Sequence, residues 1–201
     1  MKIDTAEFVV GAASPSQFPS SFLPEVAFAG KSNVGKSSLL NAILNRKKLV
    51  KTSGTPGKTR QLNFFEINRG FRCVDLPGYG FSRVSRAEKE NWEKLVESYL
   101  REGRFLAGVV MIVDIRHKPS PLDLSMREWL IAFGLRHLIV ANKVDKLKKS
   151  QVQSHLAVVR RELDLEEPPL AFSAKTRQGR DVLLNRLTEW IASPQGRQTH
   201  P

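Results

Sequence analysis

Apolar residues along this chain keep two rhythms. Short, nearly unbroken apolar runs occupy Glu25–Ala29, Gln61–Asn68, Phe71–Leu76, Ala107–Asp114, His137–Asn142 and Leu170–Phe172, and predict six strands. Elsewhere the apolar positions recur every three or four residues, as on one face of a helix. Trp92, Leu95, Val96, Tyr99 and Leu100 make one such stripe, and Leu122, Met126, Trp129, Leu130 and Phe133 a second. Val152, Leu156, Val159 and Leu163 make a third, and Leu184, Leu187 and Ile191 a fourth. Alternation of the two rhythms predicts an α/β fold, a mostly parallel six-stranded sheet with helices on both faces. Asn68-Arg69-Gly70 joins the second and third strands too tightly for a crossover, so that pair forms a hairpin with one antiparallel edge strand.

Residues 1–23 hold Gly11, Pro15 and Pro19, with Pro24 just beyond, and read as an irregular arm. Residues 24–192 read as one domain, without internal repeat or linker, and 193–201 as a tail lacking apolar anchors. All three tryptophans fall on helical stripes, where core packing accounts for them.

Composition adds three constraints. Hydrophobic residues are 41% and charged residues 26% of the 201, the proportions of a soluble globular domain. The longest apolar stretch, around Leu106 to Ile115, is too short to cross a bilayer, and the N-terminus has Asp4 and no apolar signal core. No export and no membrane association are expected. The lone cysteine, Cys73, permits no internal disulfide, suits a reducing cytoplasm and reads as a buried small hydrophobe. A net charge of +12 gathers at Arg46, Lys47, Lys48 and Lys51, at Arg83 and Arg86, at Lys146, Lys148 and Lys149, and at Arg177 and Arg180. Such clusters favour a nucleic-acid partner through phosphate neutralisation.

Candidate chemistry begins with "GKSNVGKS", which fits G-x-x-x-x-G-K-[ST] between a strand and a helix. Gly30, Lys31, Ser32, Asn33, Val34, Gly35, Lys36, Ser37 and Ser38 would turn backbone N–H groups around a polyphosphate at a helix N-terminus. Lys36 supplies a point charge to the β- and γ-phosphates, and Ser37 a hydroxyl to Mg²⁺. Guanine is the base indicated by "NKVD", Asn142, Lys143, Val144 and Asp145. The Asp145 carboxylate can accept from guanine N1–H and N2, donors that adenine lacks. Leaving such a buried group unpaired can cost a site as much as ~10⁴- to 10⁵-fold in selection. Lys143 would lay its stem along the base plane. "SAK", Ser173, Ala174 and Lys175, offers a backbone N–H for the guanine carbonyl oxygen.

"DLPGYG" follows the third strand. Asp75 can hold the Mg²⁺ shell through water. Past Leu76 and Pro77, Gly78 can swing its N–H toward a γ-phosphate. The Gly-, Pro- and Thr-rich segment Thr52 to Gln61 has the composition of a loop that orders on ligand binding. Either Thr55 or Thr59 could complete the Mg²⁺ shell, and residue types alone leave the choice open.

P-loop, mobile threonine, D-x-x-G, N-K-x-D and S-A-K in this order resemble a small translation-factor-type GTPase. More narrowly, "GKSNVGKSSLLNAI", "PGKTRQLNFF" and "DLPGYGFSRVS" resemble the EngB family of bacterial GTPases, also called YihA or YsxC, over about Pro24 to Ile191. The resemblance implies a P-loop GTPase fold and hydrolysis of GTP to GDP with Mg²⁺. It places the metal-binding threonine at Thr59, within the contacting set Gly57, Lys58, Thr59, Arg60 and Gln61. It further implies a role in assembling the large ribosomal subunit and a link to cell division and septation. The partner expected is the large subunit or its precursor, with no DNA, and the chain is expected to be a cytoplasmic monomer.

Ras-like GTPases carry a water-orienting glutamine after D-x-x-G, where this chain has Tyr79. A phenol is protonated near neutrality, so Tyr79 reads as a positioning or partner-contacting residue and not a general base. Asn33 matches the P-loop asparagine that in related GTPases helps hold K⁺, which could stand in for an arginine finger. It reads equally as a loop residue tolerating an unusual backbone. Lys36, Thr59, Gly78 and Asn33 are thus the residues expected to carry the reaction. Intrinsic hydrolysis is expected to be slow. The competing readings are a GTP-dependent binding module with Tyr79 as docking residue, and a cell-division scaffold, hydrolysis being incidental in both.

Overall fold

A computed structural model describes residues 1–19, 23–50, 61–80, 85–101 and 105–193. Twelve main elements follow in chain order. They are β1 (Ala6–Ala12), β2 (Glu25–Gly30), α1 (Lys36–Ile43), β3 (Leu62–Ile67), β4 (Phe71–Asp75), α2 (Arg86–Arg101), β5 (Leu106–Asp114), α3 (Pro121–Ala132), β6 (His137–Asn142), α4 (Lys149–Glu162), β7 (Leu170–Ala171) and α5 (Arg180–Ala192). The strands form one seven-stranded sheet in the order β1-β3-β4-β2-β5-β6-β7. Pairing is parallel from β4 through β7, while β3 runs antiparallel to both β1 and β4.

The α/β architecture and the hairpin therefore stand as the sequence predicts them. The hairpin turns on Asn68 and Arg69, both at positive φ (50° and 53°), with Gly70 N–H donating to the Ile67 carbonyl at 3.0 Å. Two consecutive positive-φ residues match the twist of the strands they join. Two expectations are corrected. The arm is not irregular throughout: Ala6–Ala12 is a seventh strand, and it covers β3, so β3 is not an edge. The physical reason is the run Phe8-Val9-Val10, whose strand preference outweighs the neighbouring Gly and Pro. Asn68 completes the attachment by accepting from Asp4 and Thr5 N–H at 2.8 and 3.0 Å and donating to the Lys2 carbonyl at 2.7 Å.

Side chains alternate between the two faces of the sheet. One face packs Ala27, Val74, Met111 and Ala141 under α2, α3 and α4. The other packs Val26, Phe28, Cys73, Val110 and Val140 under α1 and α5. Central strands buried on both faces explain why β2, β4 and β5 read as unbroken apolar runs. Cys73 is fully buried, and burial pushes its thiol pKa well up, consistent with a packing role. Trp190 is buried, and the predicted α3 stripe packs inward at Met126, Trp129, Leu130 and Phe133; only its first position departs, Leu122 being 37% exposed and the neighbouring Asp123 5%. Among the described residues no helix is long and apolar enough to cross a membrane.

The basic clusters do not all face solvent freely. Arg180 donates to the Ala42 and Ile43 carbonyls, both at 3.0 Å, closing the C-terminal end of α1. Arg46 donates to the Asp4 carbonyl at 2.8 Å. Both cations are thus engaged in holding the fold together. Lys146, Lys148 and Lys149 are exposed at the start of α4. Lys51, Arg83 and the side chain of Arg86 lie outside the described residues.

Candidate functional site

Strands β2, β4, β5 and β6 end side by side, and their C-terminal ends carry Gly30, Asp75, Asp114 and Asn142. Ligands in open α/β sheets collect at this edge. Between β2 and α1 the P-loop crosses it. Gly35 sits at φ 92°, and a Cβ there would lie 2.6 Å from the Asn142 amide nitrogen, so both conformation and space exclude a side chain. Asn33 is exposed at φ 69°, a left-handed conformation that asparagine tolerates.

The P-loop is held from outside by the N-K-x-D segment. Asn142 Nδ2 donates to the Val34 carbonyl at 2.9 Å, and Lys143 Nζ donates to the Asn33 carbonyl at 2.5 Å. Asn142 is 1% exposed, and its Oδ1 has no partner among the described residues, leaving an open acceptor at this end of the cradle. Lys143 also pairs with Asp114 at 2.8 Å. Burial pushes the Asp114 carboxyl up, but hydrogen bonds from Arg116 and Lys143 outweigh it and hold its pKa at about 2. Asp114 is therefore charged at neutral pH and anchors Lys143, whose ammonium is engaged at both of these oxygens.

Asp145 lies on a single 3-10 turn, where its Oδ1 accepts from the Ser173 hydroxyl at 2.6 Å. Ser173 is fully buried, and its oxygen in turn accepts from Thr176 N–H at 3.1 Å. Backbone bonds from Val144 N–H to the Phe172 carbonyl (3.1 Å) and from Phe172 N–H to the Ala141 carbonyl (2.9 Å) join the two segments. The structure thus brings N-K-x-D and S-A-K together, with Ala174 half-buried and Lys175 exposed beside them.

At the phosphate end, Lys36 and Asp75 form an ion pair with each other, their side chains only 10% and 8% exposed. The sequence assigns one to phosphate and the other to a metal shell. The two shielded opposite charges satisfy one another. Ser37 opens α1 just beyond, half-buried. A hydroxyl and a carboxylate are hard oxygen donors of the kind Mg²⁺ takes alongside water and phosphate, so this set can hold that ion. Among the described residues no cluster of three or more His, Cys, Asp or Glu could bind a metal without a ligand's help.

The D-x-x-G hinge lies against the P-loop. Ser32 N–H donates to the Tyr79 carbonyl at 2.8 Å, Tyr79 N–H reaches the Gly30 carbonyl at 3.4 Å, and Leu76 N–H donates to the Phe28 carbonyl at 3.0 Å. Trp92 on α2 donates its indole N–H to the Pro77 carbonyl at 3.0 Å. Tyr79 itself is 4% exposed, its hydroxyl donating to Asp123 Oδ1 at 2.7 Å. Burial first, then the Asp123 charge and this hydrogen bond, raise the phenol's pKa well above its usual value. The ring is neither a base nor a surface for a partner, which corrects the docking role considered for it.

Gln61 donates its amide to Asn63 at 3.1 Å and packs beneath Gly11 of β1. Thr55, Gly57, Lys58, Thr59 and Arg60 lie outside the described residues. Asp114 and Asp123 belong to none of the motifs, and the sequence marks Trp92 only as a packing residue of its helical stripe. Asp114 carried one usable signal, a charge at the C-terminal end of a parallel strand; Asp123 carried only a capping pattern, Ser120-Pro121-x-Asp123.

Comparison with known proteins gives four findings. A family model described as "50S ribosome-binding GTPase" matches residues 25–143. A probable GTP-binding protein EngB of Pelotomaculum thermopropionicum is 48% identical over 193 residues, covering 95% of this chain and 98% of that protein. One of the same description from Clostridium kluyveri is 49% identical with the same coverage. A crystal structure of a probable GTP-binding protein EngB superposes with a TM-score of 0.70 at 24% identity, over 84% of this chain and 98% of that one, a likeness of fold.

Asn142→Ala strips the Val34 carbonyl of its donor and leaves it shielded from water, a loss of about 1–3 kcal/mol. Calorimetry is expected to give a GDP affinity at least ~5-fold weaker, with GTP weakened in parallel because the damage lies in the shared cradle.

Proposed function

Because the chain belongs to the EngB family of GTP-binding proteins and is a GTPase, we propose that it turns GTP over slowly alone and faster on the large ribosomal subunit or its precursor. The observation that carries the nucleotide part is the buried Ser173 hydroxyl fixing one oxygen of Asp145, which leaves the other free for donors on a base. Guanine offers those donors and adenine does not.

Lys36 and Asp75 are pre-placed for exchange. Lys36 would meet the β- and γ-phosphates, and Asp75, through water, would hold Mg²⁺ with the Ser37 hydroxyl and, by family resemblance, Thr59. Mg²⁺, when bound there, neutralises charge on the β- and γ-phosphate oxygens. Gly78 brings its N–H to the γ-phosphate, and Asn33 at the exposed rim supplies the K⁺ contact. Exchanging Na⁺ for K⁺ is expected to raise single-turnover hydrolysis, and equal rates in the two salts would remove the K⁺ contact from the scheme.

The ribosomal part of the proposal is supported by the matched family's description and by the exposed Lys146, Lys148 and Lys149 beside the base segment. In this reading the protein acts in the cytoplasm as a timer of large-subunit assembly, and normal cell division and septation depend on it through ribosome supply. Tyr79 is buried, so the alternative in which it docks a partner and hydrolysis is incidental loses its motivating residue.

Two experiments test these parts. Asp145→Asn is expected to lose guanine preference and gain xanthine nucleotides, whose 2-oxygen accepts from an amide; retained preference for GDP over XDP contradicts the assignment. Sedimentation with large-subunit precursors is expected to retain the protein under a non-hydrolysable GTP analogue and release it under GDP. Reversing Lys146, Lys148 and Lys149 to Glu should abolish retention, and undiminished retention would clear that patch.

A further inference from the structure

Tyr79 occupies the position of a water-orienting glutamine, yet its hydroxyl is buried on α3. We propose that Asp123 is a positioning residue for GTP hydrolysis, acting through the Tyr79 hydroxyl to fix the Gly78 peptide against the P-loop. The inference rests on the GTPase reading above and extends it to a residue pair 44 positions apart.

The geometry defines a short segment tied on both sides. Upstream, the Pro77 carbonyl is held by Trp92. Downstream, the Tyr79 carbonyl accepts from both the N–H and the hydroxyl of Ser32, at 2.8 and 3.1 Å. The ring meets Trp92 edge-on at 6.2 Å between centroids. Gly78 is the peptide between these ties, and a Cβ added there would stand 3.1 Å from the Ser32 hydroxyl. Gly80, at φ 77°, lets the chain leave at once.

Asp123 divides its two oxygens. Oδ2 accepts from the Ser120 N–H and hydroxyl, at 2.7 and 2.6 Å, and so caps α3; Oδ1 is left for Tyr79. The carboxylate cannot follow a moving tyrosine without giving up the cap, so the tyrosine is anchored to the rigid start of a helix. A backbone N–H stabilises developing charge only at the right distance, and an error near 1 Å can cost ~10²-fold. Removing the anchor should therefore slow the chemical step and leave the diphosphate complex alone.

The test compares single-turnover GTP hydrolysis and calorimetric GDP affinity for Tyr79→Phe, Asp123→Ala, the double variant and Ser120→Ala. Tyr79→Phe keeps the ring, and Ser120→Ala removes one bond to Asp123 Oδ2 while the Ser120 N–H still holds that oxygen and Oδ1 stays on Tyr79. Expected is a loss of about 10- to 100-fold in hydrolysis rate for Tyr79→Phe and for Asp123→Ala, with no further loss in the double variant. GDP affinity should stay within about 2-fold and Ser120→Ala near wild-type rate. Wild-type rates in either single variant, losses that multiply in the double, or a Ser120→Ala loss equal to that of Asp123→Ala would overturn the proposal while leaving the GTPase reading intact. A wild-type protein that neither binds nor hydrolyses GTP would overturn both.

Discussion

Two carbonyl oxygens of the P-loop depend on donors from the end of β6. Asn142 holds Val34 and Lys143 holds Asn33, across a separation of 108 and 110 residues. A loop that turns its N–H groups inward must send its carbonyls outward, and those carbonyls need partners. Supplying them from the N-K-x-D segment makes the P-loop and that segment one object, so the proposed phosphate cradle and base site brace each other. The glycine at 35 is the corollary: only a residue without a side chain leaves room for the Asn142 amide.

Charge is distributed on the same plan. Asp114 is held ionised to secure Lys143, and Lys36 and Asp75 shield each other at the phosphate end. A shielded pair costs desolvation and returns it only while both members stay paired. Any ligand that offers each a better partner can enter without leaving a bare charge behind. Beyond Asp75, the hinge is ordered by Tyr79, anchored on α3, and by Trp92 on α2.

Much of this was legible in the sequence because it is local. Strand runs, helical stripes, the hairpin at Asn68-Arg69 and the P-loop flanks are all set by neighbours a few residues apart. The sequence places N-K-x-D and S-A-K at one base, but the Asp145–Ser173 hydrogen bond is visible only in the structure. What escaped depends on distant partners. Nothing near Tyr79 in sequence says that its hydroxyl meets Asp123, and nothing near Arg180 says that it closes α1. β1 is hidden by the Gly and Pro around Phe8-Val9-Val10, a run whose strand preference is realised by pairing with β3. The exposed Leu122 beside the buried Asp123 shows a cap and a tyrosine displacing the first position of a stripe that otherwise packs inward.

The account holds that this fold grips a guanine nucleotide through a base site and a phosphate cradle braced against each other. Parallel calorimetric titrations of the intact protein with GDP and with ADP, both in Mg²⁺, address that most directly. The account predicts a saturable GDP isotherm and no measurable heat from ADP at the same concentrations. Equal affinity for the two, or silence from both, would contradict it.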